Sequence, residues 1–159
     1  MIGPITIREA RSTDQPAIND LTRLAFEQHR AIYQPSPAAV SGTSSASLPR
    51  IVAELDDILV GTVQYRLAPP RLHLIGLAVH PNRRKLGIAR RLVDHLAGLA
   101  GVEIVSLYAV KRTGNPSLFE RLGFRAIHEQ TDGWLLGADG QPVTEVYMER
   151  ISSDRSTPA

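Results

Sequence analysis

Apolar and polar positions alternate in residues 5–8 (ITIR), and that period of two predicts a short strand. Ile18, Leu21, Leu24 and Ala25 then recur at helical spacing. Thr13 or Asp14 offers an N-cap and Pro16 fits the first turn, so an amphipathic helix is expected to run to about His29. Residues 34–49 (QPSPAAVSGTSSASLP) hold no period, and their Ser, Pro, Ala and Gly predict a loop. RIVAEL and ILVGTVQYRLA flank Asp56-Asp57, the pattern of a β-hairpin with a tight polar turn. Val63, Tyr65 and Leu67 alternate there with Thr62, Gln64 and Arg66, which gives the second strand one wet face. Beyond Pro69-Pro70, RLHLIGLAV (Arg71–Val79) is nearly all apolar and reads as a strand buried on both faces.

Pro81 stops that strand. Ile88, Leu92, Val93, Leu96 and Leu99 share one helical face opposite Arg91, Asp94 and His95, predicting a helix of about 13 residues punctuated by Gly98 and Gly101. VEIVSLYAV (residues 102–110) reads as a second buried strand, and strand, helix and strand together as a right-handed βαβ unit. A short helix in NPSLFERLG, a strand in FRAIHEQ, a turn around Asp139-Gly140 and a last strand in VTEVYMERI follow. No repeat or boundary interrupts this pattern. One α/β (α+β) domain over residues 1–151 is expected, with a polar, frayed tail at residues 152–159.

The 159 residues are 43% hydrophobic and 21% charged, a globular balance. Net charge is only +2, with 16 acidic residues among 18 basic ones, so the basic character is local. Absence of cysteine excludes disulfides, thiolate metal sites and a cysteine nucleophile, and suits a reducing cytosol. No apolar run approaches the roughly 20 residues of a membrane helix, and MIGPITIREA lacks a signal pattern. A cytoplasmic protein without membrane attachment is the expectation.

Chemistry concentrates in HPNRRKLGIARRL, where five cations surround one glycine. The turn follows a buried strand and opens a helix, where unpartnered amide N–H groups and the positive end of the dipole favour phosphate. Gly87 lets a pyrophosphate approach the main chain, Arg84 and Lys85 add charge at the rim, and Leu86 and Ile88 can anchor the turn. No Lys-Ser or Lys-Thr follows the glycine, so this is not a P-loop, and GxGxxG is absent. Arg84, Gly87 and Ala89 do match Arg/Gln-x-x-Gly-x-Gly/Ala.

LAVHPNRRKLGIARRL, the strand VSLYAV and NPSLFERLGFRAI resemble the GCN5-related N-acetyltransferases, the GNAT superfamily. TIREARSTDQPAI and VTEVYMER resemble its first strand and helix and its closing strand. The resemblance implies a mixed central sheet of about seven strands, helices on both faces, and two splayed parallel strands that form a wedge for acetyl-CoA. It implies that Leu77 and Val79 offer main-chain groups to the pantetheine and thioester. It further places the pyrophosphate on Arg84, Lys85, Leu86, Gly87, Ile88 and Ala89, and sets Asn115 and Phe119 beside the cofactor, although the segment from Asn115 is shorter than usual. No metal is implied. The implied acceptor is a small-molecule or peptide amine, and a homodimer is compatible with the family.

The implied reaction is direct attack of a neutral amine on the thioester, with the Val79 N–H as oxyanion donor. An alkyl amine with a pKa near about 10.4 must first lose a proton. Many relatives supply a carboxylate in the first splayed strand and a tyrosine four residues before the Gly-Phe pair; here His73 is the only titratable group inside the strand, and Phe119 stands for the tyrosine. His73 is therefore a base candidate and Tyr108 an acid candidate, each with an ordinary alternative as a structural histidine and a packing aromatic. Glu145, Tyr147, His29, Arg30 and Tyr33 could border the acceptor, or solvate a sheet edge and a helix end. Arg90 and Arg91 read as helix surface, Arg90 facing Asp94 at i+4. An acyl-CoA sensor without turnover is the alternative function. Nucleic-acid binding is disfavoured, because the cations sit in one turn and the chain has one Trp and three Phe for stacking.

Overall fold

The computed structural model of the chain describes residues 4–27, 33–35, 48–131, 135–137 and 139–151. Strand β1 (Ile5–Glu9) leads through a 3-10 turn, Ser12–Asp14, into helix α1 (Gln15–Phe26). Thr13 lies inside the turn, and Asp14 stands at the N-cap without capping the helix. Its carboxylate instead accepts two hydrogen bonds from Arg8 (2.8 and 2.9 Å) and one from the Arg11 N–H (2.7 Å). The Arg8 guanidinium holds that carboxyl down at about 2. The helix ends at Phe26; His29 and Arg30 lie outside the described residues.

Strand β2 (Tyr33–Pro35) occupies the start of the expected loop and pairs antiparallel with β8 (Leu135–Gly137). Residues 36–47 and the tail at 152–159 lie outside the described residues. Strands β3 (Arg50–Leu55) and β4 (Ile58–Ala68) form the predicted hairpin. Asp56 (φ 53°) and Asp57 (φ 64°) both take the left-handed conformation that a two-residue primed turn requires and that Asp tolerates. Then come β5 (Arg71–Val79), α2 (Ile88–Ala97), β6 (Ile104–Val110), α3 (Asn115–Arg121), β7 (Arg125–Gln130) and β9 (Glu145–Ile151). Helix α2 has 10 residues rather than 13. The Gly98 N–H closes it on the Asp94 carbonyl (3.1 Å), and Leu99 packs on the core from beyond its end.

The main sheet has seven strands in the order β1-β3-β4-β5-β6-β9-β7, with β5 and β6 parallel and every other pair antiparallel. Cross-strand partners share a face, so the register sorts the side chains. On one face Ile51, Val63, Leu72, Val105, Leu107 and Met148 pack with Ile88, Leu92 and Leu96 of α2 and with Phe119. On the other, α1 brings Ile18, Leu21 and Ala25 to the half containing β4 and β5, where Val52, Thr62 and Ala78 are buried. That second face stays open over β6 and β9, where Tyr108 is 40% and Ile151 45% exposed.

Strand β6 is buried at all but Ile104 and Tyr108, whereas β5 is not buried on both faces as expected. In β5 Arg71 and Gly76 are exposed, and His73, Ile75, Leu77 and Val79 are half-buried. The reason is topological: β5 loses its neighbour partway along.

A gap between parallel strands

Strands β5 and β6 pair at three rungs only, Arg71 with Ile104, Leu72 with Val105 and His73 with Ser106. From Leu74 onward β5 runs to Val79 without a partner on that side. A bulge in β5 accompanies the separation. Thr62 pairs with Ala78 but Gln64 with Ile75, so Gly76 and Leu77 together oppose Val63. Gly76 has φ 66°, open to glycine at little cost, and a bulge of this kind bends and twists its strand.

The main chain of β5 faces the opening. The His80 N–H donates to the Val60 carbonyl (2.8 Å), so His80 points toward β4. Successive residues of a strand alternate sides, which turns the N–H and C=O of Val79, and of Leu77 two residues back, into the gap. At this end of the sheet the chain makes a 3-10 turn, Pro81–Arg83, capped by the His80 ring, whose Nδ1 accepts the Asn82 N–H (3.1 Å). Lys85 (φ 68°) and Gly87 (φ 80°) then reverse the chain into α2. Gly87 is the N-cap and supplies no side chain to the first amides, and a Cβ built on it would meet nothing within 4 Å. The first helical hydrogen bond is Arg91 N–H to Gly87 (3.0 Å), which leaves the Ile88, Ala89 and Arg90 amides without an intrahelical acceptor.

Side chains around this turn divide between anchors and rim. Ile88 is buried, and Leu86 and Ala89 pack partly against the core. Lys85 is exposed, while Arg84 donates to the Ala25 carbonyl at the end of α1 (3.3 Å) and so ties the turn to that helix. Arg90 does not pair with Asp94. It donates to the Arg121 carbonyl (2.7 Å), and Asp94 pairs with Arg150 (2.8 Å) because the C-terminal end of α3 and strand β9 both lie beside α2. Arg91 donates to the Ile5 carbonyl (2.8 Å). Across the gap, Gly114 (φ 79°) turns the chain after β6, and half-buried Asn115 donates its main-chain N–H to Thr113 Oγ1 (3.1 Å). Phe119 is buried, edge-on to Phe124 at 5.8 Å.

His73 stands on the last paired rung, at the vertex of the gap. Its Nδ1 lies 2.9 Å from Ser106 Oγ, and its ring meets Tyr108 edge-on at 5.5 Å. Burial, with a smaller push from Arg66 across β4, lowers its pKa and keeps the imidazole neutral. Tyr108 lies 5.1 Å from Tyr147, which stacks on His128 at 5.0 Å. The Tyr147 hydroxyl donates to Glu149 (2.9 Å), and Arg71 donates to both. Arg71 holds the Glu149 carboxyl below its ordinary value, while burial pushes the Tyr147 phenol up.

Sequence reasoning missed Ser106, Glu149, Arg71 and His128. Ser106 and Tyr108 do stand two apart in β6, which signals one shared face. The rest depends on β9 lying between β6 and β7, a non-sequential neighbour. The side chain of Tyr33 lies outside the described residues. Among the described residues no three His, Asp or Glu gather as a metal site, and no helix is long and apolar enough to cross a membrane.

A family model for the acetyltransferase (GNAT) family matches residues 17–124. Among solved structures, the ribosomal-protein-S18-alanine N-acetyltransferase from Escherichia coli has 18% identity and TM-score 0.71, over 93% of this chain and 94% of that one. A PaiA N-acetyltransferase from Thermoplasma acidophilum in complex with coenzyme A has 15% identity and TM-score 0.68, over 93% and 99%. The spermidine/spermine N-acetyltransferase SpeG from Vibrio cholerae has 15% identity and TM-score 0.67, over 96% and 95%. No curated protein gives a significant match to the sequence.

Proposed function

Because the chain belongs to the GNAT acetyltransferase family, we propose that it moves an acetyl group from acetyl-CoA to a primary amine of a small molecule or peptide. One observation carries this reading: a gap lined by the main chain of β5 ends at an uncapped helix N-terminus whose glycine leaves open space. The groups fit the ligand. Leu77 and Val79 pair with the amide-bearing pantetheine arm, and the amides from Gly87 to Ala89 take the pyrophosphate, with Lys85 at the rim. Leu86 and Ile88 act through the core that holds the turn, and Arg84 through its tie to α1. Asn115 borders the far side of the gap, and Phe119 supports it from the core. No metal is required.

The amine nitrogen attacks the thioester carbon as the C–N bond forms and the C–S bond breaks. The Val79 N–H stabilises the oxyanion, and His73, six residues back along β5, accepts the amine proton through intervening water. Tyr108, exposed beside His73, is the candidate donor to the departing sulfur, whose thiol pKa near about 8.5 makes little demand on an acid. The domain acts in the cytoplasm on soluble acceptors, as a monomer or homodimer, without nucleic-acid or membrane binding. Phe119, buried and with no proton to give where many relatives carry a tyrosine, favours a second reading, an acyl-CoA sensor without turnover.

Calorimetric titration with acetyl-CoA, followed by a thiol-release assay over a panel of amines and N-terminal peptides, tests both. Binding with thiol release supports the transferase. Binding without release across the panel supports the sensor. No binding at millimolar acetyl-CoA overturns both.

A further inference from the structure

The row of rings on the open face of the sheet has one unfilled place. Tyr147 stands opposite Tyr108 across β6 and β9 and opposite His128 across β9 and β7, so the three rings follow one another over neighbouring strands. His128 lies on Tyr147 nearly parallel, at an interplanar angle of 18°. Tyr108 has no such cover. His73 meets it at 66° and Tyr147 at 54°, and among the described residues no ring lies parallel to it. It is also 40% exposed, although a ring on either side holds it in place. Aromatic rings prefer offset-stacked or edge-to-face partners, so the open side of Tyr108 suits one more planar ring.

Position ties that place to the gap. Tyr108 follows Ser106 by two residues on the same face of β6, at the first rung that β5 leaves unpaired. Its ring centroid lies 5.5 Å from that of His73 at the vertex. A ring seated on Tyr108 therefore brings an amine on a short carbon linker to the mouth of the gap. The charges around it do not invite a second ammonium. Glu149, opposite Ser106 on β9, is paired with Arg71 and accepts from the Tyr147 hydroxyl. Glu145, the other carboxylate on that face of β9, is half-buried and also has a partner. Exposed Arg66 stands opposite His73 on β4, a cation on the far side of the vertex. Ile151, on the same face of β9, adds apolar surface at 45% exposure.

We propose that Tyr108 is the floor of an acceptor subsite that selects primary amines carrying an aromatic ring on a short linker, over saturated amines and polyamines. This rests on the acetyl transfer proposed above and names the acceptor class for it. The bonds made and broken are the same, and the ring takes no part in them.

Initial rates of thiol release from acetyl-CoA test the subsite, with phenethylamine, its saturated counterpart cyclohexylethylamine, and spermidine as acceptors. In the full-length protein kcat/KM should be about 5-fold higher for phenethylamine than for cyclohexylethylamine, and lowest for spermidine. The ratio of the two ring amines is read within each variant, so any loss of the Tyr108 hydroxyl as a proton donor cancels from it. Tyr108→Leu should bring that ratio to about one, and Tyr108→Phe, which keeps the ring, should hold it within about twofold of the wild type. Equal values for the two ring amines in the wild type, a ratio that survives Tyr108→Leu, or a preference for spermidine overturns the subsite. If no amine releases thiol, the transferase reading fails instead. Calorimetry of the same amines on the CoA-bound protein then decides the subsite by the same ratio.

Discussion

Gly87 and Arg91 stand four residues apart in the basic turn and helix, yet they differ in what they touch. Gly87 has φ 80°, no Cβ, and, its chain neighbours aside, nothing within 4 Å of where a Cβ would stand. Arg91 spends its guanidinium on the Ile5 carbonyl of β1. Gly87→Val puts a β-branched side chain into the left-handed region and into the space above the free amides. The acetyl-CoA Kd measured by calorimetry should rise more than about 10-fold, a cost above about 1.4 kcal/mol. Arg91→Ala removes one exposed hydrogen bond and should leave the Kd within about twofold. Equal losses would mean that charge, not the main-chain cradle, dominates binding. The same contrast runs through the other cations: Arg84 and Arg90 tie the turn and helix to α1 and α3, and Arg83 and Lys85 stand exposed without such a side-chain tie among the described residues.

At the scale of elements, the seat of α2 on the sheet fixes where the turn lies. Gly61 of β4 lies beneath it, and a Cβ there would come within 2.7 Å of Ile88 Cγ2 and 3.1 Å of Leu92 Cδ1. Both side chains are fully buried, and Ile88 is stiff at χ1 in a helix. Gly61→Ala should therefore cost about 1–3 kcal/mol through overpacking, read as a fall of a few degrees in Tm. Because Ile88 directly follows Gly87, acetyl-CoA affinity should weaken with it; an unchanged Tm would show that α2 slides freely over β4. None of this packing was visible in ILVGTVQYRLA, where Gly61 reads as one small residue in a strand. The strand and helix periods were legible because they are local, and so was the turn, because glycine and cations in that place have few uses. Asp14 and Arg90 were misread for the opposite reason. Each has a plausible partner nearby in sequence, and each takes one elsewhere in space: Arg8, itself paired with Glu54, for Asp14, and the Arg121 carbonyl for Arg90.

Across the whole molecule the seven-stranded sheet is two sheets joined by three rungs. The half β1-β3-β4-β5 and the half β6-β9-β7 share ladder pairs only from Arg71 to His73, preceded by the Pro70 carbonyl that accepts from the Glu103 and Ile104 N–H groups, and beyond that the buried cluster under α2 and α3 holds them together. The sequence showed two apolar strands flanking a helix and so suggested full burial; the separation is a matter of register, set by a bulge at Gly76 that no local pattern announces. The cluster of His73, Ser106, Tyr147 and Glu149 escaped notice for the same reason, since it exists only once β9 inserts between β6 and β7. A ligand whose amide-bearing arm lies along β5 completes the missing part of the sheet. At 100 times its Kd such a ligand adds about 2.7 kcal/mol of stability, about 5–10 °C in Tm for a chain of this size. Amide hydrogen exchange should locate that gain. Without acetyl-CoA the Leu77 and Val79 amides, facing the gap, should exchange much faster than that of His80, which is bonded to Val60. With acetyl-CoA these two and the amides of Gly87, Ile88 and Ala89 should slow most, while β1 changes only with the global stability. Protection spread evenly over the chain, or centred on β7, would place the ligand elsewhere than in the gap.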